Sequence, residues 1–346
     1  MARTRRQRQV YADLLARYGR QVADAFIRAI DNIRSAAEVQ RLTAAIEAGQ
    51  IEEALDALHI DREAFNEVAD RLREAHAEGG KAATETMPTR RPDGTALVVR
   101  FDGRNPEAEA WLNRHSSDLI TRLTTEQRQL VRLHLVEAMR RGVNPRQVAL
   151  DLVGRINRAT GKREGGVIGL SASQEGYVRS ARNQLASDDA ADLRAYLTRT
   201  RRDKRFDKSV QKAIREERAV EPGIAAKALT AYERRLLQLR GETIGRVEAM
   251  TSLQQAKFEA YRQAVASGKV AENAVTKVWR SASDLRVRHT HRALNGDSVG
   301  LNGVFRSPSG ALLRFPMDTS LGAGTDEIVG CRCDAEYRID FLANIR

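Results

Sequence analysis

Cysteine is almost missing from this chain: 346 residues contain only Cys331 and Cys333. A disulfide between residues two apart has strained geometry, so a disulfide-stapled scaffold is excluded and the pair needs another explanation. Aromatic residues make up 5% of the chain, which argues against a sheet-dominated fold, since strands concentrate aromatic and β-branched side chains. No apolar run approaches the roughly 20 residues of a membrane-spanning helix. The N-terminal stretch MARTRRQRQVYADLLARYGRQ enters charged helical sequence with no apolar secretion core, so the expected setting is a cytosol.

Ala, Leu, Arg and Glu recur throughout, which favours helices. With 42% hydrophobic and 30% charged residues, the chain has enough apolar material for ordinary cores, and its length suggests more than one domain. The expected fold class is mainly α: a multi-domain helical protein with a small C-terminal α+β module. The expected divisions are a helical unit over 1–80, a linker with a short strand over 81–108, a central helical region over 109–240 and the module over 241–346.

Local signals support these divisions. Val10, Leu14, Leu15, Tyr18, Val22, Phe26, Ile27, Ile30 and Ile33 recur at three- and four-residue steps, the mark of an amphipathic helix. A second helical stretch ends at Gly49, and a third begins at Asp61 and is expected to stop at Gly79-Gly80. Pro88, Pro92 and Pro106 surround the apolar run 96–101, which is read as a linker with one strand. Thr124 to Gln127 has a capping-box arrangement, Gly142 reads as a helix stop, and Asn144-Pro145 reads as an N-cap followed by proline at the first helical position. Thr160-Gly161-Lys162-Arg163 fails as a phosphate loop, because Arg163 occupies the hydroxyl position and no strand precedes it. Ser171 to Gln174 caps the helix that follows. A long helix is expected from about 225 to 268, then strands at 275–279 and after Pro308.

The formal charge is +12, which raises nucleic acid as a partner. Its distribution weakens that inference, because the first 80 residues hold 12 Lys and Arg against 14 Asp and Glu and the surplus beyond them is spread thinly. One cluster stands out: Arg199, Arg201, Arg202, Lys204 and Arg205, a candidate contact for phosphate or an acidic partner. Asp203 and Asp207 interrupt it, which favours a solvated helix end.

The last 60 residues contain His289, His291, Cys331 and Cys333. Thiolate and imidazole are the commonest structural zinc ligands, and Cys-x-Cys on an extended segment points both sulfurs to one side. On a helix, residues 289 and 291 diverge by about 200°, so one histidine is expected to ligate, with a fourth ligand from His289, Asp318 or Asp326. The alternative is a pair of small buried thiols beside a hydrogen-bonded histidine. Asp284, Arg286, Arg288, His291 and Asp318 could form an acid–base site. No nucleophile stands at a recognisable spacing, so the chain is read as a non-enzyme.

Beyond these patterns, residues 242–346 resemble the C-terminal module of phage Mu F-like head morphogenesis proteins, minor head proteins of tailed phages. The resemblance is carried in order by Ile244 to Glu248, Lys277 to Arg280 with Trp279, Asp284 to His291 with Arg286 and Arg288, Leu294 to Gly296, Phe305, Phe315 to Asp318, and Ile328 to Cys333. The chain departs from that family at Val247, where Thr is frequent, at Met317, where Gly is frequent, and at Gly330, where Pro or Asn is. It also lacks the histidine that many members place shortly before the cysteines. His291 takes the position of the family's recurrent histidine. The resemblance implies a structural role in head morphogenesis at the portal vertex, with the portal protein and the major capsid protein or scaffold as partners. Phage genomic DNA lies nearby in that setting, and the location is the virion, or the host cytoplasm during assembly. The alternatives are a phage-delivered nuclease-like enzyme or toxin, and a DNA-binding internal head protein.

Overall fold

The computed structural model describes the backbone of residues 2–343 and the side chains of residues 7–343. The protein is mainly helical, with a small α+β module near its C-terminus. Helices α1 (Ala2–Ala36), α2 (Val39–Glu47), α3 (Ile51–Asp56) and α4 (Asn66–Thr86) come first, followed by α5 (Pro106–Arg140) and α6 (Pro145–Val153). A small hairpin of β1 (Arg155–Ile156) and β2 (Arg163–Glu164) precedes α7 (Ala172–Ala186), α8 (Ala190–Leu197), α9 (Asp207–Arg215) and the 45-residue α10 (Pro222–Ala266). Strand β3 (Val275–Arg280), helix α11 (His289–Ala293), strands β4 (Ser298–Gly300), β5 (Phe305–Arg306) and β6 (Leu312–Leu313), helix α12 (Thr325–Ile328) and strand β7 (Asp334–Ile339) complete the chain. No described helix is long and apolar enough to cross a membrane.

The chain forms two compact units, and they are not the linear divisions 1–80, 81–108, 109–240 and 241–346. The first gathers 1–24, 68–117 and 242–346; the second gathers 25–67 and 118–241. Helices α1, α4, α5 and α10 each contribute residues to both, so composition shifts along the sequence do not mark the boundaries.

In the first unit, β3 lies between β4 and β7, antiparallel to both, with Trp279 opposite Ala335. The C-terminal part of α10 supplies Leu253, Phe258, Tyr261 and Ala264 to a core shared with Tyr11, Ala83, Phe315 and Tyr337. Helix α10 passes close to α1 because Gly245 carries no Cβ: one there would overlap the carbonyl of Gly19. Gly79 and Gly80 do not stop a helix, and α4 runs through them to Thr86. They are contact points instead, since a Cβ on Gly80 would occupy the ring of Phe101. The run 96–101 forms no strand, only a single bridge between Arg90 and Ala96. Likewise α5 continues through Thr124, so that capping-box pattern starts no helix.

The second unit encloses Phe26, Ile30, Ile33, Leu42, Leu55, Leu152, Ile168, Leu185 and Tyr196. Local signals act as read here: Asn144 accepts from Gln147 N ahead of α6, and Ser171 and Gln174 form a reciprocal capping box on α7. The part of the glycine-rich stretch next to α7, Gly165 to Leu170, is buried rather than open. Arg34 donates to the carbonyls of Gly166 and Ile168, Gln127 holds Gly169 and Leu170, and Glu233 accepts from Gly166 N. The backbone groups of Gly166, Ile168, Gly169 and Leu170 in these bonds are therefore occupied.

Candidate metal centre

Strand β3 ends by carrying Trp279 into a core of Met250, Leu294, Phe305, Leu313, Met317 and Ile328, where its side chain is fully buried. The chain then turns back through Gly296, whose N–H donates to the Trp279 carbonyl and whose φ of +99° suits glycine. Between these points, α11 places His291 inside the core with its ring 5.1 Å from that of Trp279, edge to face.

Helix α12 ends at Ile328, and Gly330, at φ +75°, turns the chain into the extended segment Cys331-Arg332-Cys333 that leads to β7. Arg288 donates to the carbonyl of Val329, and Arg332 grips Asp284 with two short bonds of 2.5 and 2.6 Å. These two contacts tie the histidine segment to the cysteine segment. Arg332 also holds the Asp284 carboxyl below the usual carboxylate range. Arg286 is exposed, and its backbone N–H caps Asp284.

His291, Cys331 and Cys333 are all buried, and one donor atom from each lies within 4.8 Å of the others. Nδ1 of His291 is 3.5 Å from both sulfurs, and both thiols are free. The cluster could hold a metal ion. Protons within it are unequally held: the sulfur–sulfur hydrogen bond lowers the Cys333 thiol, with His291 acting in the same direction, and raises Cys331, with burial adding to the rise.

The other face of the imidazole meets Glu327, whose Oε2 lies 2.5 Å from Nε2. The contact is short but its N–H direction is poorly aligned, since Nε2 has no hydrogen bond of good geometry. Glu327 is 2% exposed, and its Oε1 accepts from Ser307 and Ser309 at 3.1 and 2.6 Å. Burial pushes this carboxyl up, but the two serine hydroxyls and His291 outweigh it and leave it below its ordinary value. Sequence reasoning passed over Glu327. It stands four residues before Cys331 on a four-residue helix, and no spacing rule marks it.

The other candidate ligands lie elsewhere. His289 and Asp326 are exposed. Asp318 accepts from the backbone N–H groups of Arg314 and Ser320. The placement of His289 follows from α11, which turns residues 289 and 291 to different sides.

The basic run around residue 200 is mostly tied down. Arg199 bonds Gln184 and Ser180, Arg202 pairs with both oxygens of Asp207, and Arg205 pairs with Asp203. Asp203 is pulled down to about 2, first by its hydrogen bond from Arg205. Arg201 and Lys204 are exposed.

No family model, curated protein or solved structure matches the chain.

Proposed function

We propose that this chain is a minor head protein of a tailed phage, of the Mu F-like type, acting structurally in head morphogenesis at the portal vertex. Its partners in this reading are the portal protein and the major capsid protein or scaffold. The observation that carries it is convergence: residues that bear the family resemblance across positions 279 to 333 meet in one buried core, with Trp279, Leu294, Phe305, Ile328, Cys331 and Cys333 in one cluster and His291 against Trp279.

The core's metal is zinc in this reading. On a tetrahedral zinc, with Zn–S near 2.3 Å and Zn–N near 2.0–2.1 Å, a sulfur and a nitrogen stand about 3.6 Å apart. Both Nδ1–Sγ separations are 3.5 Å. His291, Cys331 and Cys333 would hold the ion, which would cross-link α11 to the strand entering β7. With the donors 1%, 4% and 2% exposed, a substrate has no approach to the remaining coordination position, which supports a structural rather than a catalytic use. The experiment is localisation of the protein in intact particles by electron cryomicroscopy. Density at a single vertex is the expected result, and copies distributed over the whole shell would overturn the reading.

A further inference from the structure

We propose that a cleft beside the β1–β2 hairpin, in the second unit, binds the phosphate backbone of duplex nucleic acid. The cleft has a volume of about 550 Å³ and is lined by Arg155, Arg205, Lys227 and Arg234, with Ile156 and Phe206 as its apolar surface. Three separate stretches of chain bring these cations together: the hairpin, the turn before α9 and the first third of α10.

Their chemistry is unbalanced. The one acid lining the cleft is Glu164, and Asn157 donates to its carboxylate at 2.9 Å. Lys227 and Arg234 are exposed on α10. They are seven residues apart, two helical turns, and so lie on one face roughly 10 Å along the axis. Among the described residues neither has an acid within ion-pair distance. Arg205 is held in place by its pair with Asp203, yet its side chain is 74% exposed, and its guanidinium lies over the ring of Phe206. The hairpin tip adds Arg158 and Lys162, both exposed. Arg155 and Arg205 each have one acid within ion-pair distance, Asp151 and Asp203, and the remaining cations of the cleft and hairpin tip leave a positive surplus that a polyanion would neutralise.

The form of the site selects among polyanions. Lys227 and Arg234 alone stand roughly 10 Å apart along α10, farther than one phosphate group reaches, which favours a repeating anion. A single partly buried aromatic is no stacking platform for successive bases, so duplex backbone is favoured over single strands. Of the run from Arg199 to Arg205, only Arg205 faces this cleft. The inference rests on the second unit alone and stands independently of the reading as a head protein.

The test is binding of the full chain to a short fluorescent duplex across a salt series. One variant carries Arg158→Glu, Lys227→Glu and Arg234→Glu. A control of equal charge carries Arg146→Glu, Arg194→Glu and Arg215→Glu, which are exposed positions of the same unit outside the cleft. The cleft variant should bind at least about tenfold more weakly and show a salt slope shallower by nearly 3, because each of the three lost phosphate contacts removes about 0.9 of a unit of slope. The control should lose less than about threefold, since its charges act only at a distance. Equal losses in the two variants overturn the proposal. So does wild-type binding that is indifferent to salt, or that prefers polyglutamate over the duplex.

Discussion

His291 is held from both sides: its Nε2 lies 2.5 Å from Glu327 Oε2 while its Nδ1 faces Cys331 and Cys333 at 3.5 Å. A carboxylate behind a ligating imidazole fixes the tautomer and raises the basicity of the metal-facing nitrogen. Ser307 and Ser309 in turn fix the carboxylate. Glu327→Gln keeps the shape and removes the charge. It should lower zinc affinity by about 10–100-fold, the usual effect of losing such a support, as read by competition with a chromophoric chelator. Unchanged affinity would show that Glu327 does not position the histidine.

Replacing both Cys331 and Cys333 with Ser should destabilise the first unit and abolish its response to metal. Zinc that binds only the folded chain stabilises it in proportion to the logarithm of its concentration over Kd. The wild-type unfolding midpoint should therefore rise with added zinc and fall with a chelator, and the double variant should respond to neither. A double variant as stable as the metal-loaded wild type would rule out the cross-link.

Two glycines in helices should respond in opposite directions to alanine. At Gly80 a Cβ would enter the ring of Phe101, which itself packs on His76. Gly80→Ala should cost about 1–3 kcal/mol, the range for overpacking a filled site. At Gly176, on α7, a Cβ meets open space, and Gly176→Ala should gain about 0.5–1 kcal/mol from helix propensity. Denaturant midpoints of both variants check the pair, and a neutral Gly80→Ala would show that Phe101 can move aside.

The same contrast explains what was legible in the sequence. Asn144-Pro145, Gly142, the Ser171 capping box and Gly296 were readable because their chemistry is local: a side chain or a positive φ acts on its own turn. The mainly helical class with a small α+β module was readable from composition and periodicity. Gly79 and Gly80 misled, because their reason is Phe101 and Leu253 on other segments rather than a helix end. Thr124 misled for a related reason: a capping pattern inside α5 is overridden by the apolar face around it, where Leu119, Leu123, Leu130 and Val131 are buried. The histidine and cysteines were visible as residue types, whereas Glu327 became identifiable only once α12 placed it against His291.

Lys277 provides the last prediction. It is fully buried on β3, where its ammonium donates to the carbonyls of Gly303 and Arg314 at 2.8 Å and lies over the rings of Phe258 and Phe305. Burial pulls it down to about 7, against a raising influence from Asp318 and a further lowering one from Arg314. An unfolded lysine titrates near 10.4. Between about pH 7 and 10 the unfolded chain therefore binds more protons than the folded one, and stability rises with pH across that window. Below it both states are charged, and the folded state carries the full cost of burying the ammonium. Lys277→Met removes the titration but leaves two carbonyls without a donor, so the variant should be less stable at pH 9.5. The decisive quantity is the difference between wild type and variant, in which the cysteines and other titrating groups cancel. That difference in urea midpoint should widen steadily from pH 7 to 9.5, and a difference that stays constant would mean that Lys277 keeps an ordinary affinity for its proton in the folded protein.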